Sequence, residues 1–153
     1  MVVSPIDVSA SGMRAQRMRM EVIANNLANV DTTSASQEFV SGPDGQSFVR
    51  HVPYRRKEVI FQAGHLRKGD KVFGVTTPKI VDDTTDFRVE FDPTHPHARN
   101  VPGSDDFGKL YRPNVNPIVE MVDMIAASRA YEANLSAVET AKSMNSNALR
   151  ILA

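Results

Sequence analysis

Residues 116–153 read NPIVEMVDMIAASRAYEANLSAVETAKSMNSNALRILA, and this stretch decides the fold. Asn116 can cap a helix, Pro117 suits the first helical position, where no amide hydrogen is needed, and Glu120 places negative charge in the first turn. Nothing after Pro117 breaks the pattern before Ala153. The spacing predicts a helix of roughly 36 residues and ~54 Å. An average globular helix has only about 11–12 residues. Small residues Ala127, Ala130, Ala137, Ala141 and Ala148 form one stripe, joined by Met144 and Ile151. Ile118, Val122, Ile125, Leu135, Val138 and Leu149 form a second. Two apolar stripes require two sets of neighbours.

Working outward, the N-terminal end reads as the partner helix. Ser4 is a candidate cap, Pro5 fits the first position and Asp7 lies in the first turn. Met13, Met20 and Leu27 recur every seventh residue, with Gln16, Ile23 and Val30 between them. That is a coiled-coil-like seam on a helix from Pro5 to Asn29, roughly 37 Å long. Asn25, Asn26 and Asn29 crowd its end, where amides suit polar contacts that fix the register between helices.

Between the helices, Pro43, Pro53, Pro78, Pro93, Pro96 and Pro102 and most of the glycines fall in one zone. Strand-like runs are expected at 48–52, 56–61, 71–75 and 87–91, and Gly42-Pro43-Asp44-Gly45 reads as a turn. The expectation is an α+β chain: an N-terminal assembly helix (1–32), a small β-rich domain (33–112) and a long C-terminal assembly helix (113–153). The two helices pair as an antiparallel, coiled-coil-like hairpin. A middle zone of roughly 80 residues covers only part of such a helix, so the outer stripe needs other chains.

Composition narrows the function. The 18 Lys and Arg balance the 18 Asp and Glu, which argues against a protein that coats nucleic acid. The absence of cysteine excludes a disulfide framework and a thiol nucleophile. No apolar run approaches the ~20 residues needed to cross a bilayer. The first residues do not read as a cleavable secretory signal.

His95-Pro96-His97, near Asp92, is the one candidate metal pair, and its prolines indicate a turn more strongly than a ligand set. No Gly-x-Ser-x-Gly elbow or phosphate-binding glycine loop occurs. No catalysis, metal or cofactor is therefore expected. A basic patch (Arg50, His51, Arg55, Arg56, Lys57) and an acidic run (Asp82, Asp83, Asp86, Glu90, Asp92) read as solvated faces, or as complementary patches meeting between neighbouring subunits.

The two ends carry a resemblance. Ser11-Gly12-Met13-Arg14-Ala15-Gln16 followed by Ala24-Asn25-Asn26-Leu27-Ala28-Asn29 resembles the N-terminal signature of the flagellar rod and hook family. Glu120-Met121 to Met124-Ile125, then Ser128-Arg129-Ala130-Tyr131-Glu132-Ala133-Asn134, is similar to its C-terminal signature. Gly42-Pro43-Asp44-Gly45-Gln46, Tyr54-Arg55-Arg56-Lys57 and Arg112-Pro113-Asn114-Val115-Asn116 resemble its short, proximal-rod members. The pattern departs at 47–53, which looks inserted, and over Asn100 to Gly108.

The resemblance implies a structural subunit that is exported unfolded through the flagellar type III apparatus without signal cleavage. It would assemble in the periplasm with copies of itself and other rod proteins. Membrane-ring and export-gate proteins would be its neighbours at the rod base, with no nucleic acid and no membrane insertion. It would transmit torque and enclose an export channel. The residues expected at subunit contacts are Met13, Gln16, Met20, Ile23, Asn25, Asn26, Leu27 and Asn29. In the C-terminal helix they are Met121, Met124, Ile125, Arg129, Tyr131, Glu132, Asn134, Leu135 and Met144. Another rod-family subunit, or a helical adaptor for one soluble partner, is the alternative.

Overall fold

The computed structural model describes residues 5–41, 47–65, 73–76, 79–99 and 105–152. Two helices flank a strand-rich middle, as expected of an α+β chain. Helix α1 spans Pro5–Ala28 and helix α2 spans Pro117–Leu152. Between them lie β1 (Ser36–Ser41), β2 (Ser47–Val52), β3 (Lys57–Ile60), β4 (Ala63–His65), β5 (Phe73–Val75), β6 (Lys79–Asp82), β7 (Arg88–Phe91) and β8 (Lys109–Arg112). Four of the eight strands, β2, β3, β5 and β7, overlap the runs expected from sequence. The candidate cap Ser4 and the turn at Gly42–Gly45 lie outside the described residues.

The start of α2 follows from its cap. The Ile118 amide donates to Asn116 Oδ1 at 3.1 Å, and the Glu120 amide donates to the Asn116 carbonyl at 3.0 Å. The end of α1 is sealed by Asn29. Its amide reaches the carbonyls of Asn25 and Asn26 at 3.2 Å, and its side-chain nitrogen donates to the Asn25 carbonyl at 2.9 Å.

Among the described residues each sheet has two strands: β1 with β2, β3 with β6, β4 with β5 and β7 with β8. β1–β2 is an antiparallel hairpin in which Phe39 opposes Val49 and Gln37 opposes His51. β7–β8 is antiparallel, with Val89 opposite Tyr111 and Phe91 opposite Lys109. Gly108 precedes β8 at φ 76°, and a Cβ there would lie 2.8 Å from the Phe91 ring. Both facts demand glycine.

The chain forms two compact units. Unit 1 comprises 1–24, 58–81 and 121–153, and unit 2 comprises 25–57 and 82–120. Within unit 1 the helices run antiparallel. Gly12 faces Asn134, and seven residues further along α1 Arg19 reaches Asp123 at 3.2 Å, so one index falls as the other rises. A Cβ on Gly12 would come within 3.0 Å of Asn134 Oδ1, so glycine sets how closely the helices approach. Ala15, Val22, Ile23 and Ala127 are buried there. Ser11, also buried, donates back to the Val8 carbonyl at 2.6 Å and accepts from the Val75 amide at 3.1 Å, tying β5 to α1.

Unit 2 is centred on Leu110, Val115, Pro113 and Tyr54, with Ala98 beside them in the buried set. Asn26 and Glu120, both buried and polar, belong to the network described next.

Candidate assembly interface

The first turns of α2 present opposite faces. Ile118, Met121, Val122 and Ile125 recur at i, i+3, i+4 and i+7, so they form one ridge. All four are exposed, Ile118 by 69% and Ile125 by 54%. Ala127 lies on the other side of the helix and is 1% exposed. Each helical residue advances about 100°, so an apolar stripe on both sides cannot be covered by one neighbour. Further along, Leu135, Met144 and Leu149 are exposed too, and so is every residue from 142 to 150. Isolated exposed apolar residues are ordinary, but a contiguous ridge marks an interaction surface.

What holds the start of α2 is a buried polar network inside unit 2. Glu120 is 0% exposed. Its carboxylate accepts from Arg56 Nε at 2.6 Å and from Asn26 Nδ2 at 3.1 Å. Asn26, 1% exposed, uses its whole amide. Its nitrogen also donates to the Lys57 carbonyl at 2.8 Å, and its oxygen accepts from the Lys57 amide and the Tyr54 hydroxyl, both at 2.9 Å. Arg56 also pairs with Asp83 at 3.3 Å, and its amide donates to Asn114 Oδ1 at 2.8 Å. Burial raises the pKa of the Tyr54 phenol above its ordinary value, and the charges of Asp82 and Glu120 add to the effect. The Thr85 amide holds Asp83 below its usual carboxylate value, with Arg56 helping.

This network revises the reading of the charged patches as complementary faces meeting between subunits. Arg55 donates to the carbonyls of Asp83 and Thr85 and lies 4.3 Å over the Phe87 ring. Arg56 meets Asp83 and Glu120, and Lys57 meets Asp82 at 3.7 Å. The basic and acidic runs join within one chain, because the start of β3 and the end of β6 are paired strands.

The expected contact residues fall into three groups. Ile23 and Asn26 are buried. Met13, Gln16, Met20, Leu27, Asn29, Met124, Tyr131 and Asn134 are half-buried. Asn25, Met121, Ile125, Arg129, Glu132, Leu135 and Met144 are exposed. Gln16 Oε1 is buried and has no hydrogen-bond partner among the described residues. Asn134 donates to the Ala130 carbonyl at 2.8 Å and faces Gly12. Sequence reasoning missed Tyr54, Arg56 and Glu120 as one cluster. The available signal was an acid in the first turn of α2, which a dipole argument alone explains. Among the described residues no group of three or more His, Cys, Asp or Glu is placed to hold a metal, and no helix is long and apolar enough to cross a membrane.

Comparison with known proteins matches the two ends of the chain to family models. Residues 6–35 match a model described as flagella basal body rod protein, and residues 108–151 match one described as flagellar basal body rod FlgEFG protein, C-terminal. The chain is 40% identical over 157 aligned positions to the flagellar basal-body rod protein FlgC of Bacillus subtilis, covering 95% of each. It is 38% identical to the protein of that name from Borreliella burgdorferi, covering 97% of this chain and 96% of the relative. With the Salmonella typhimurium protein of that name identity is 36%, covering 90% and 88%.

Proposed function

The chain belongs to the FlgC family of flagellar basal-body rod proteins, and from that premise we propose that it is a structural subunit of the proximal rod that assembles through its terminal helices. The observation that carries this reading is the apolar ridge Ile118–Met121–Val122–Ile125, on the side of α2 opposite Ala127. A tube subunit needs different faces for different neighbours, since only heterologous contacts propagate a helix. α2 offers one face to α1 and another to the outside.

In this reading residues 1–32 and 113–153 build the tube, and 33–112 lie on its outside. Met13, Gln16, Met20, Ile23, Asn25, Asn26, Leu27 and Asn29 of α1 serve assembly. So do Met121, Met124, Ile125, Arg129, Tyr131, Glu132, Asn134, Leu135 and Met144 of α2. The exposed members of the set contact neighbours, and the buried ones hold the hairpin that presents them. The neighbours are further copies and other rod proteins, with membrane-ring and export-gate proteins at the base. The chain leaves the cytoplasm unfolded through the type III apparatus and stands in the periplasm. Its task is mechanical: it carries torque and encloses the export path, and it catalyses nothing. Close-packed apolar seams suit that load, because they compress little.

The test is Ile125→Asp. The side chain is more than half exposed, so the purified variant should keep the circular dichroism and urea midpoint of the parent. It should fail to enter isolated basal bodies and should abolish swimming. Normal swimming by cells carrying only this variant would sink the proposal.

A further inference from the structure

Three of the chain's four histidines gather in unit 2. The His51 ring, in β2, stacks on that of His97 with centroids 4.5 Å apart and planes inclined by 30°. The His95 ring meets His97 edge-on at 5.2 Å. Each stacked ring also touches a hydroxyl from the loop that follows α1. Thr33 Oγ1 lies 2.7 Å from His97 Nδ1, and Ser34 Oγ lies 2.9 Å from His51 Nδ1. His95 Nδ1 accepts from the His97 amide at 3.1 Å. One cluster thus joins three segments that are distant in sequence: the loop at 33–34, strand β2 and the turn at 92–98.

We propose that His51, His95 and His97 form an acid-sensitive clasp: neutral, they hold the loop after α1 and the 92–98 turn against β2, and protonated, they release both. A neutral imidazole can accept at Nδ1 from a hydroxyl, whereas an imidazolium can only donate. Wherever a hydroxyl donates to Nδ1, protonation turns it from donor to acceptor. Protonation also places positive charges on rings in contact, where like charges repel strongly.

The surroundings offer little compensation. On the turn, Asp92 is the one nearby acid, and its carboxylate is taken by the amide and hydroxyl of Thr94 at 3.1 and 2.7 Å. On β2, Arg50 points to the opposite strand face from His51, with Glu38 across from it. On β1, Gln37 opposes His51 and carries no charge. From the loop come only hydroxyls, while Asp31 pairs with Arg112 at 3.7 Å. Arg99 is held by Asp106 and stacked 3.6 Å over Tyr111. Among the described residues neither His51 nor His97 has a carboxylate partner.

Desolvation first, then the charges of His51 and His95, lowers the pKa of His97 below 6.5. The unfolded chain then takes up a proton more readily than the folded one. Stability from this group is fully present above the unfolded value and is lost as pH falls from about 6.5 through the lower native one. The backbone bonds that would loosen are the Tyr54 amide to the Thr32 carbonyl, at 3.0 Å, and the Ala98 amide to the His95 carbonyl, at 3.0 Å.

This inference stands on local chemistry and does not require the rod reading. The test is amide exchange by NMR on the full chain at about pH 7.5 and about pH 5.5, expressed as protection factors, with urea midpoints alongside. Protection at Tyr54 and Ala98 should fall about fivefold or more across this step. The fall should shrink to less than about threefold in His97→Gln and in His51→Gln, while His65→Gln, outside the cluster, should behave as the parent. An unchanged parent, or a full fall retained in both cluster variants, would overturn the clasp. Should those variants fail to fold, imidazole titration in the parent decides. A His97 midpoint below about 6.5 supports the clasp, and one at or above it refutes it.

Discussion

Replacing Arg56 by Met isolates the value of the buried ion pair. Met fills much of the arginine stem's volume but removes the guanidinium that donates to Glu120 at 2.6 Å. The carboxylate, 0% exposed, is left with one neutral side-chain donor among the described residues, Asn26 Nδ2. Breaking a buried pair on one side costs about 3–5 kcal/mol, because the remaining charge cannot reach water. The exposed pair Arg17–Glu21, 74% and 62% accessible, sets the contrast; such pairs contribute roughly 0.2–1 kcal/mol. Asp83 also loses a partner but keeps the Thr85 amide at 2.9 Å. Against a total stability of about 5–15 kcal/mol, the loss is a large fraction. For a chain of this size it corresponds to a fall in Tm of roughly 6–20 °C. Equilibrium urea denaturation of the purified chain near neutral pH measures it, provided the m-value is unchanged. The double variant Arg56→Met/Glu120→Leu should recover most of the loss, since no orphaned charge remains. A loss below about 1 kcal/mol in the single variant, or a double variant no more stable than the single, would refute the reasoning.

Other outcomes follow from the same structure. Gly12→Leu drives a side chain into Asn134 where a Cβ alone would come within 3.0 Å; it should cost about 1–3 kcal/mol in thermal unfolding, as overpacking does. Asp83 and Asp106 are held below the ordinary 3.8, first by the Thr85 amide and by the Tyr111 hydroxyl respectively. The native state binds their protons less readily than the unfolded chain, so their contribution is present above about pH 4 and lost as pH falls below it. Asp83→Asn and Asp106→Asn should each flatten the acid limb of a stability–pH curve. Deleting residues 142–153 should leave the urea midpoint nearly unchanged, because every residue from 142 to 150 is exposed, yet it should prevent incorporation into basal bodies.

The helices were readable because each carries its own instructions. Pro5, Asn116 and Pro117 mark the starts, and the proline- and glycine-free run to the end lets α2 continue to Leu152. Strands β2, β3, β5 and β7 were readable from β-branched and aromatic residues in short runs. The sequences of β1 (SQEFVS), β4 (AGH), β6 (KIVD) and β8 (KLYR) carry weak patterns of their own, and each is a strand because its partner makes it one. The small-residue stripe on α2 was legible only in part: Ala127 is buried, whereas Ala137, Met144 and Ala148 are exposed. The Asn26–Arg56–Glu120 network was not visible. Its members are separated by up to 94 residues, and only the folded chain brings them within hydrogen-bonding reach. For the same reason the charged runs at 55–57 and 82–83 read as surface patches until the pairing of β3 with β6 joined them.

The two-stranded sheets bear on how such a chain can change length over evolutionary time. No described ladder extends past two strands, so a residue added at the tip of one ribbon shifts nothing in the other three. α2 has the opposite character. One inserted residue turns everything beyond it by about 100°, and an insertion between Ile118 and Ile125 would carry Ile125 off the ridge. Drift in length is therefore cheap in the middle of the chain and nearly forbidden along its C-terminal helix.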